Sequence, residues 1–598
     1  MKNRIKISFR RIKMRKQMIK RYTQQIILVC TSVLLVACNR DDNGLVTEDG
    51  KIDMTKTIDF KVNFSDFNDE EETTITRANS DLQSGDTLSQ QVVELDNNLL
   101  AIVTVQKDTA KSIMPNIPTR VLEDGNYRLT AVPQGAMYSY IGPIKGFVHN
   151  GSFMHADNET LELSPGTYRF CLVNDKANYK IDTTFPWQPY HLIVMNPEDI
   201  PSALVGAVDN VVITPTPKHQ QVKFEMKHPG ARMRIKLTSF MPHTAISGKI
   251  EGAIRTEGTF DVAFSSITNG TSSPIAWSNN CTFPASEYTF PAPGKIDNIC
   301  TSISNEYQYF FTNNTLSDLK LVLNNGTLYR KDLSTNPLTI KFATPTPVQM
   351  QVNGSYLINV KLMYNFWYLM SDGSVGLTKE TTYAGGTKTP IALVLSRSKQ
   401  IAMGLKNANG NQETAYGIVP WQRDNDVIYS MSSNEALEDM AGYHYTWDAS
   451  GSYDGVTIKG NEKTKYPAFY YAGHYGSEIE ADLTAKGISL DNDLKNKKWY
   501  LPSSGELNYI TKLGFGNTSG QQLGVPVPTY VNFVDVAFAQ VGGTRLRSKG
   551  LWSSVETVPN LEGLTIQNFY YDNTFNGSIN FWDYAKSVPF YVRAFIKY

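Results

Sequence analysis

The chain has 598 residues, of which 41% are hydrophobic and 19% are charged, with 42 glycines and 28 prolines. This composition is typical of a loop-rich globular protein and excludes a largely disordered one. At roughly 100–200 residues per domain, the length predicts several domains. The abundance of Tyr (32) and Phe (27) favours β-structure.

The formal net charge of zero combines two unlike parts of the chain. Residues 1–37 hold ten Lys or Arg and no acidic residue, which leaves 47 basic and 57 acidic residues, a net charge of −10, in the remainder. A net-acidic chain without a basic cluster lacks the electrostatic footprint of a nucleic-acid-binding protein. We therefore exclude nucleic acid as a partner.

The N-terminus reads as an export signal. A basic segment is followed by the apolar run "IILVCTSVLLVA" and then by Cys38. This order predicts a secretory signal peptide over residues 1–37, because the run is shorter than the roughly 20 residues of a membrane span. The basic segment is long, so Met14 and Met18 are alternative start residues.

The next segment predicts a strand followed by a solvated spacer. Apolar residues alternate with polar ones, which is the pattern of a half-buried β-strand. An acidic run from Asp66 to Glu72 follows, and Arg77 then stands among small polar residues. The alternating apolar residues are Ile58, Phe60, Val62 and Phe64.

Short strand-like runs without intervening helices continue from about residue 90 to residue 365, which predicts two β-sandwich domains. Within them, "QVKFEMKHPGARMRIKLTSF" (residues 221–240) places alternating apolar residues on both sides of a His-Pro-Gly sequence. We predict a hairpin there, with one buried face.

Few cysteines follow Cys38. Cys281 and Cys300 are candidates for one disulfide, which would leave Cys171 single. The alternative is that all three are buried thiols. In either case the chain is not a disulfide scaffold.

Beyond a Gly/Thr-rich linker the pattern becomes mixed α and β. "KTPIALVLSRSKQIAMGL" predicts two short strands, whereas "SSNEALEDMAGY" and "GSEIEADLTAKG" predict helices. In "NKKWYLPSSGELNYI", an aromatic strand ends at Pro502, and Ser503 or Ser504 caps a helix that carries Glu506.

The C-terminal region resembles the C-type-lectin-like domain of many Bacteroidota surface lipoproteins. The resemblance rests on "WYLPSSGEL", on "WSSVE" (residues 552–556) and on the terminal "VR", and it covers roughly residues 385–598. It implies an α+β binding or structural module. Trp552 and Glu556 are candidate ligand contacts, and the alternative is that Trp552 packs in the core.

Residues 38–365 resemble the fimbrillin-type (type V) pilins of Bacteroidota, which are lipoproteins built of two transthyretin-like β-sandwiches. The resemblance rests on "LVAC", which is similar to a lipobox ending at Cys38, on "TRANS" (76–80) and on "MKHPGARMRIKL" (226–237). The early acidic residues in "NRDDN" also resemble the surface-export signal of Bacteroidota lipoproteins. The alternative for Cys38 is an ordinary signal peptide followed by an incidental cysteine.

The pilin resemblance implies a mechanism. The precursor is acylated (palmitate) at Cys38 and displayed on the outer membrane. A protease then cuts after Arg77 and releases the strand containing Ile58–Phe64. A donor strand from another fimbrial subunit fills the vacated groove. Because the terminal strand reads as part of the lectin-like domain, we expect a tip or accessory subunit that carries a candidate adhesin for a glycan or protein receptor.

The expected fold class is mainly β, with two transthyretin-like β-sandwiches followed by an α+β C-type-lectin-like domain. We predict neither a cofactor nor a metal site, and no enzyme, because the eight His show no metal-ligand spacing and no nucleophile motif occurs. A permanently lipid-anchored surface protein is the alternative function, and an enzyme is the less favoured one. The expected domains are 1–37 (signal), 38–78 (propeptide with the removable strand), 79–215 and 216–368 (sandwiches), 369–388 (linker) and 389–598 (lectin-like domain).

Overall fold

In the computed structural model of the protein, the strands follow the polar and apolar alternation of the sequence. The structure describes residues 49–68, 87–95, 98–108, 124–135, 139–182, 190–195, 197–214, 220–254, 258–261, 266–268, 274–286, 300–312, 314–342, 347–418, 422–430, 435–513, 527–528, 531–546, 550–558, 565–572 and 578–598.

In its described residues the first part of the chain is almost entirely β, with one short α-helix, α1 (Met54–Thr57), and one 3-10 turn at Pro197–Asp199. Its strands are β1 (Ile52–Asp53), β2 (Ile58–Phe64), β3 (Thr87–Leu95), β4 (Leu99–Lys107), β5 (Gly125–Pro133), β6 (Ile141–His149), β7 (Ser152–His155), β8 (Glu162–Leu163), β9 (Gly166–Asn174), β10 (Asn178–Asp182), β11 (Tyr190–Met195), β12 (Val205–Ile213) and β13 (Gln220–Met226).

Most of these strands form one curved sheet, in the order β12-β9-β5-β6-β7-β2-β13. Its two edges meet, because Val205 and Lys227 exchange two main-chain hydrogen bonds of 3.0 Å. The curled sheet encloses an aromatic and aliphatic core that includes Phe60, Phe170 and Phe224. We call it the first body.

The described residues of the middle part are mainly strands, with one 3-10 turn at Leu316–Asp318. The strands are β14 (Ala231–Ser239), β15 (Ile246–Ile254), β16 (Gly258–Asp261), β17 (Ser266–Thr268), β18 (Ile275–Phe283), β19 (Cys300–Ile303), β20 (Gln308–Phe310), β21 (Leu319–Asn325), β22 (Thr327–Leu328), β23 (Lys331–Asp332), β24 (Leu338–Lys341) and β25 (Ser355–Tyr364).

A second body is a two-sheet sandwich. One sheet has the order β19-β14-β25-β4-β3 and the other β18-β15-β21-β24. Both sheets contribute to one core, for example Val103 and Ile235 from the first and Ile250 from the second. Strands β10 and β11 pair with β16 and β17 in a separate four-stranded sheet.

Two expectations about this region differ from the structure. The hairpin predicted for residues 221–240 is wrong: β13 pairs in parallel with β2, whereas β14 lies between β19 and β25 in the other body. Likewise β3 and β4, expected in a domain over residues 79–215, pair within the second body. The alternation of apolar and polar residues identifies the buried face of a strand but not the strand that pairs with it. Both errors therefore concern which strands pair.

The C-terminal region mixes helices and strands. Its helices are α2 (Ala408–Asn411), α3 (Glu435–Glu438), α4 (Gly442–Trp447), α5 (Pro467–Gly473), α6 (Tyr475–Thr484), α7 (Asn492–Asn496), α8 (Ser504–Lys512) and α9 (Val531–Ala539). Its strands are β26 (Trp367–Met370), β27 (Val375–Leu377), β28 (Pro390–Ser396), β29 (Ile401–Gly404), β30 (Tyr429–Ser430), β31 (Val527–Pro528), β32 (Leu551–Val558), β33 (Thr565–Asp572), β34 (Ser578–Tyr584) and β35 (Phe595–Lys597).

Two sheets organise this region, in the orders β27-β26-β28-β29-β35 and β30-β32-β33-β34-β31. Strand β26 ends and strand β27 lies within the expected linker over 369–388, so this segment contributes strand residues to the first of these sheets. Across the described residues the chain is mainly β, as the composition predicted. No helix in the described part of the chain combines the length and apolar character needed to cross a membrane.

The helix start predicted in "LPSSGEL", with Ser503 or Ser504 as the cap, is confirmed, and the cap is a capping box. Ser503 is the N-cap of α8 and accepts from the Glu506 amide, while the Glu506 carboxylate accepts from the Ser503 amide at 2.9 Å. The Tyr500 hydroxyl also donates to this carboxylate, at 2.8 Å. Burial nevertheless dominates and raises the pKa of Glu506 to about 7, since desolvation penalises the charged form.

This carboxyl predicts a pH dependence of stability. Because its folded pKa lies above the unfolded value, the folded state holds the proton more tightly, and stability falls as the pH rises from about 4.5 to about 7. We expect this loss to be roughly 2–4 kcal/mol and to be absent in Glu506→Gln. Urea unfolding across this pH range measures it. The exposed Glu438→Gln is the control, and the same profile in both variants would contradict the assignment.

Candidate functional site

Strand β2, the predicted removable strand, lies inside a sheet rather than at its edge. It pairs in parallel with β13 along its whole length, from Ile58–Gln220 to Phe64–Met226. On its other side it pairs antiparallel with β7 at Phe60. Removal of β2 would therefore open the first body between β7 and β13 and leave main-chain groups of both strands without partners.

The predicted buried face of β2 is confirmed. Ile58, Phe60 and Val62 are only 7%, 4% and 3% exposed, whereas Asp59 and Asn63 face solvent. The fourth predicted residue, Phe64, is half-buried and packs edge-on against His228, with ring centroids 5.5 Å apart. Removal of β2 from the protein stays a prediction.

Phe60 is the centre of this face. Its ring contacts the rings of Phe153, Phe170 and Phe224, at centroid distances of 6.2, 5.6 and 6.2 Å. Large aromatic side chains contribute most of the burial energy in such cores, and edge-to-face pairs add to it. The pocket that receives Phe60 is therefore the strongest side-chain anchor of β2.

A second contact surface, which we call the junction site, follows directly after β2. It is formed by Phe67 and Asn68 together with residues of β14, β25 and the loops beside them. The Phe67 ring stacks on His228 at 4.1 Å with an interplanar angle of 6°, and the Arg232 guanidinium lies 4.3 Å from the Phe67 centroid. Phe67 is 7% exposed, so it is an anchored residue rather than part of a free loop.

Asn68 completes the junction site by hydrogen bonding. Its side-chain amide donates to the Asp108 and Ser355 carbonyls at 3.1 and 2.8 Å, and its side-chain oxygen accepts from the Ser355 amide at 2.9 Å. Its main-chain amide donates to the Asn353 carbonyl at 3.0 Å. Nothing local in the sequence marks Asn68, because its partners lie far away along the chain.

The segment from Ile52 to Asn68 therefore contacts both bodies. Its β2 strand belongs to the first body, and its last residues are held by β25 and the loop before it in the second. Arg77 falls within residues 69–86, and Cys38 precedes residue 49, so both lie outside the described residues.

Trp552 and Glu556, the candidate ligand contacts, lie on β32 and are both 0% exposed. The Trp552 indole donates to the Thr414 carbonyl at 2.8 Å, and its ring packs edge-on against Phe590. These contacts match the core alternative for Trp552. Neither side chain faces solvent, so a ligand contact would require both to leave the interior.

Glu556 instead belongs to a buried charge cluster, defined here as Asp424, Lys459, Glu556 and Lys586. Glu556 accepts from the main-chain amides of Asp424 and Asn425, at 3.0 and 2.8 Å, and forms an ion pair with Lys586. Lys459 donates to the Asp424 carbonyl at 3.2 Å. Burial lowers the pKa of Lys459 to about 8, which reports how little solvent reaches this cluster.

Cys281 and Cys300 are buried free thiols on β18 and β19, which belong to the two opposite sheets of the second body. The structure therefore does not contain the predicted disulfide. Burial raises the pKa of Cys281 to about 12 and that of Cys300 to about 11, so both thiols stay protonated and unreactive at neutral pH. Within the described ranges no group of three or more His, Cys, Asp or Glu is arranged to hold a metal ion.

Comparison with known proteins gives structural likenesses only, since no family model and no curated protein matches the chain. A proposed cell adhesion protein from Bacteroides ovatus is 13% identical, covers 51% of this chain and 92% of its own, and has a TM-score of 0.28. A fimbrial protein from Bacteroides vulgatus (11% identity; 42% and 90%; TM-score 0.25) and another from Bacteroides ovatus (12%; 80% and 95%; TM-score 0.18) are also similar. At TM-scores this low, the likenesses carry no argument about fold or function.

Proposed function

We propose that the protein is a surface-exported fimbrial subunit that polymerises by strand replacement, with β2 as the strand that is replaced. The observation that carries this proposal is the position of β2, an N-terminal strand that fills the gap between β7 and β13 and is followed in sequence by Arg77. The sequence motifs at Cys38 and Arg77 support export as a lipoprotein and cleavage.

In this proposal a protease cuts after Arg77 and the segment that contains β2 leaves. The first body would then present unpaired main-chain groups along β13 and apolar pockets that held Ile58, Phe60 and Val62. An extended segment of another subunit restores both, because main-chain hydrogen bonds give affinity and alternate side chains in pockets give specificity. The partner is thus another subunit with an alternating apolar strand.

The C-terminal region is proposed as the outermost, receptor-binding part. The strand β35 supports this arrangement, because it pairs with β29 and its Phe595 and Ile596 are fully buried. A strand used in this way is not available as a donor for a neighbour. In this proposal the subunit accepts a strand at its first body and acts as a tip or accessory subunit, with a glycan or protein as its receptor.

A lipid-anchored surface protein that keeps Cys38 and β2 is the second candidate. The tight fit of β2 favours it, since Phe60, Phe67 and Asn68 all hold the segment in place. In that case the segment is a permanent part of the first body, and the acyl chain anchors the protein to the outer membrane.

N-terminal sequencing of the protein from native fimbriae decides between the two. A start at Ala78 supports the fimbrial subunit, and a blocked Cys38 supports the anchor. We further expect Arg77→Ala to abolish both cleavage by a trypsin-like protease and incorporation into fimbriae, while Arg77→Lys restores cleavage by trypsin. Incorporation of uncut Arg77→Ala at the wild-type level would contradict the proposal.

A further inference from the structure

Three side chains of the buried charge cluster meet at one point in the C-terminal region. The Lys586 amine contacts the Asp424 carboxylate and the Glu556 carboxylate, and it also donates to the Gln422 carbonyl. The side chains of Lys586 and Glu556 are 0% exposed and that of Asp424 is 4% exposed. An amine and two carboxyl groups are thus in direct contact away from water.

The wall around this contact is aromatic. The Lys586 amine lies 5.5 Å from the centroid of the fully buried Tyr416 ring, which packs edge-on against Trp552. Attack on a carboxyl carbon requires that the Lys586 amine first give up a proton, and the carboxylates of Asp424 and Glu556 are in direct contact with it to accept that proton. The neutral amine that results is a nucleophile.

We propose that Lys586 and Asp424 condense to an intramolecular isopeptide bond. The Lys586 Nζ attacks Asp424 Cγ, a bond forms between these two atoms, and the bond from Cγ to Oδ2 breaks. The Oδ2 atom leaves as water together with two of the three ammonium protons, and the third proton remains on the amide nitrogen. An ammonium and a carboxylate thus become one amide and one water, without an oxidant, a reductant or a co-substrate.

Glu556 and Tyr466 supply the proton transfer and the charge stabilisation that the condensation requires. Glu556 contacts the Lys586 amine and is fixed by the Asp424 and Asn425 amides, so it accepts a proton from the amine and returns it to the leaving oxygen. The Tyr466 hydroxyl donates to Asp424 Oδ1 at 2.8 Å. This is the oxygen on which negative charge develops, so the hydroxyl stabilises the tetrahedral intermediate.

The contact geometry also makes the condensation favourable. Groups held in reactive contact behave as if present at effective concentrations on the order of 10⁵ M or more. The side chains involved are 0–4% exposed, so solvent has little access to reverse the step. Asp424 and Lys586 are 162 residues apart. The bond would enclose helices α3 to α9 and strands β30 to β34, so that part of the C-terminal region could no longer be extended by pulling.

Peptide mapping of the purified full chain tests the proposal. After complete unfolding and trypsin digestion, we expect no cleavage after Lys586 and a branched peptide that joins residues 424–459 to residues 550–593, lighter by one water than the sum of these two segments. Lys459 is the internal control. It is buried in the same cluster but takes no part in the proposed bond, so trypsin should cleave the chain after it. Recovery of unmodified Asp424 and Lys586 peptides from folded wild-type protein would overturn the proposal.

Variants assign the roles. Lys586→Arg and Glu556→Gln are both expected to yield only separate peptides, the first because it lacks the amine and the second because it lacks the proton acceptor. A complete cross-link in Glu556→Gln would refute the role given to Glu556. Circular dichroism tests whether each variant is folded. If a variant does not fold, the peptide map of the wild-type protein alone decides whether the bond exists.

Discussion

Phe60→Ala is expected to lower the stability of the first body by about 3–5 kcal/mol, the range found when a buried Phe is truncated. The physical reason is the loss of three ring contacts together with the cavity left between β7 and β13. Hydrogen exchange of the β13 amides in the uncut protein measures this change locally, because those amides become exchangeable when the first body opens.

Two controls accompany this measurement. Asp59→Ala changes the neighbouring, exposed side of β2 and is expected to alter stability by less than about 0.5 kcal/mol. The second control is protein cut after Arg77 and freed of its N-terminal segment. It has the same sequence whether or not Phe60 was replaced, so the hydrogen exchange of its β13 amides should be the same in both cases. A loss below about 1 kcal/mol in uncut Phe60→Ala would show that β2 does not anchor through this pocket.

Relative to chains in which Lys586 and Asp424 are not joined, Glu556→Ala is expected to cost about 3–5 kcal/mol, because it removes one partner of a fully buried ion pair. The unjoined Lys586 ammonium loses one of its two carboxylates, and the amides of Asp424 and Asn425 lose their acceptor. Urea unfolding, monitored by the fluorescence of the buried Trp552 nearby, reports on this part of the C-terminal region.

The matched control is an exposed ion pair in the same region. Glu480 and Lys495 are 2.8 Å apart with side chains 45% and 38% exposed. Surface pairs of this kind contribute about 0–1 kcal/mol, so Glu480→Ala should have a small effect. Equal losses in the two variants would mean that burial does not determine the contribution of Glu556.

Local patterns predicted local features. The alternation of Ile58, Phe60 and Val62 indicated both the strand and its buried face, and Ser503 with Glu506 indicated the start of α8. In each case the signal and the structure involve residues a few positions apart. These parts of the fold follow from backbone geometry and capping alone.

Local sequence patterns could not predict which distant strands and side chains become neighbours in the fold. The parallel neighbour of β2 is β13, and the residues that hold Asn68 include Ser355, which is 287 positions away. Likewise, nothing in the local pattern around Glu556 indicated that it would meet Lys586 and Asp424 in the interior. Such contacts depend on how distant elements pack, and a single sequence carries no periodic signal for them.

The pairing of β4 with β25 has a consequence for the order of folding. Residues Leu99–Lys107 are synthesised long before their neighbours Ser355–Tyr364, yet the second body cannot close without both. Closing so long a stretch of chain is slow, and apolar strands stay open to wrong partners meanwhile. The net charge of −10 in residues 38–598 keeps such chains apart in that interval.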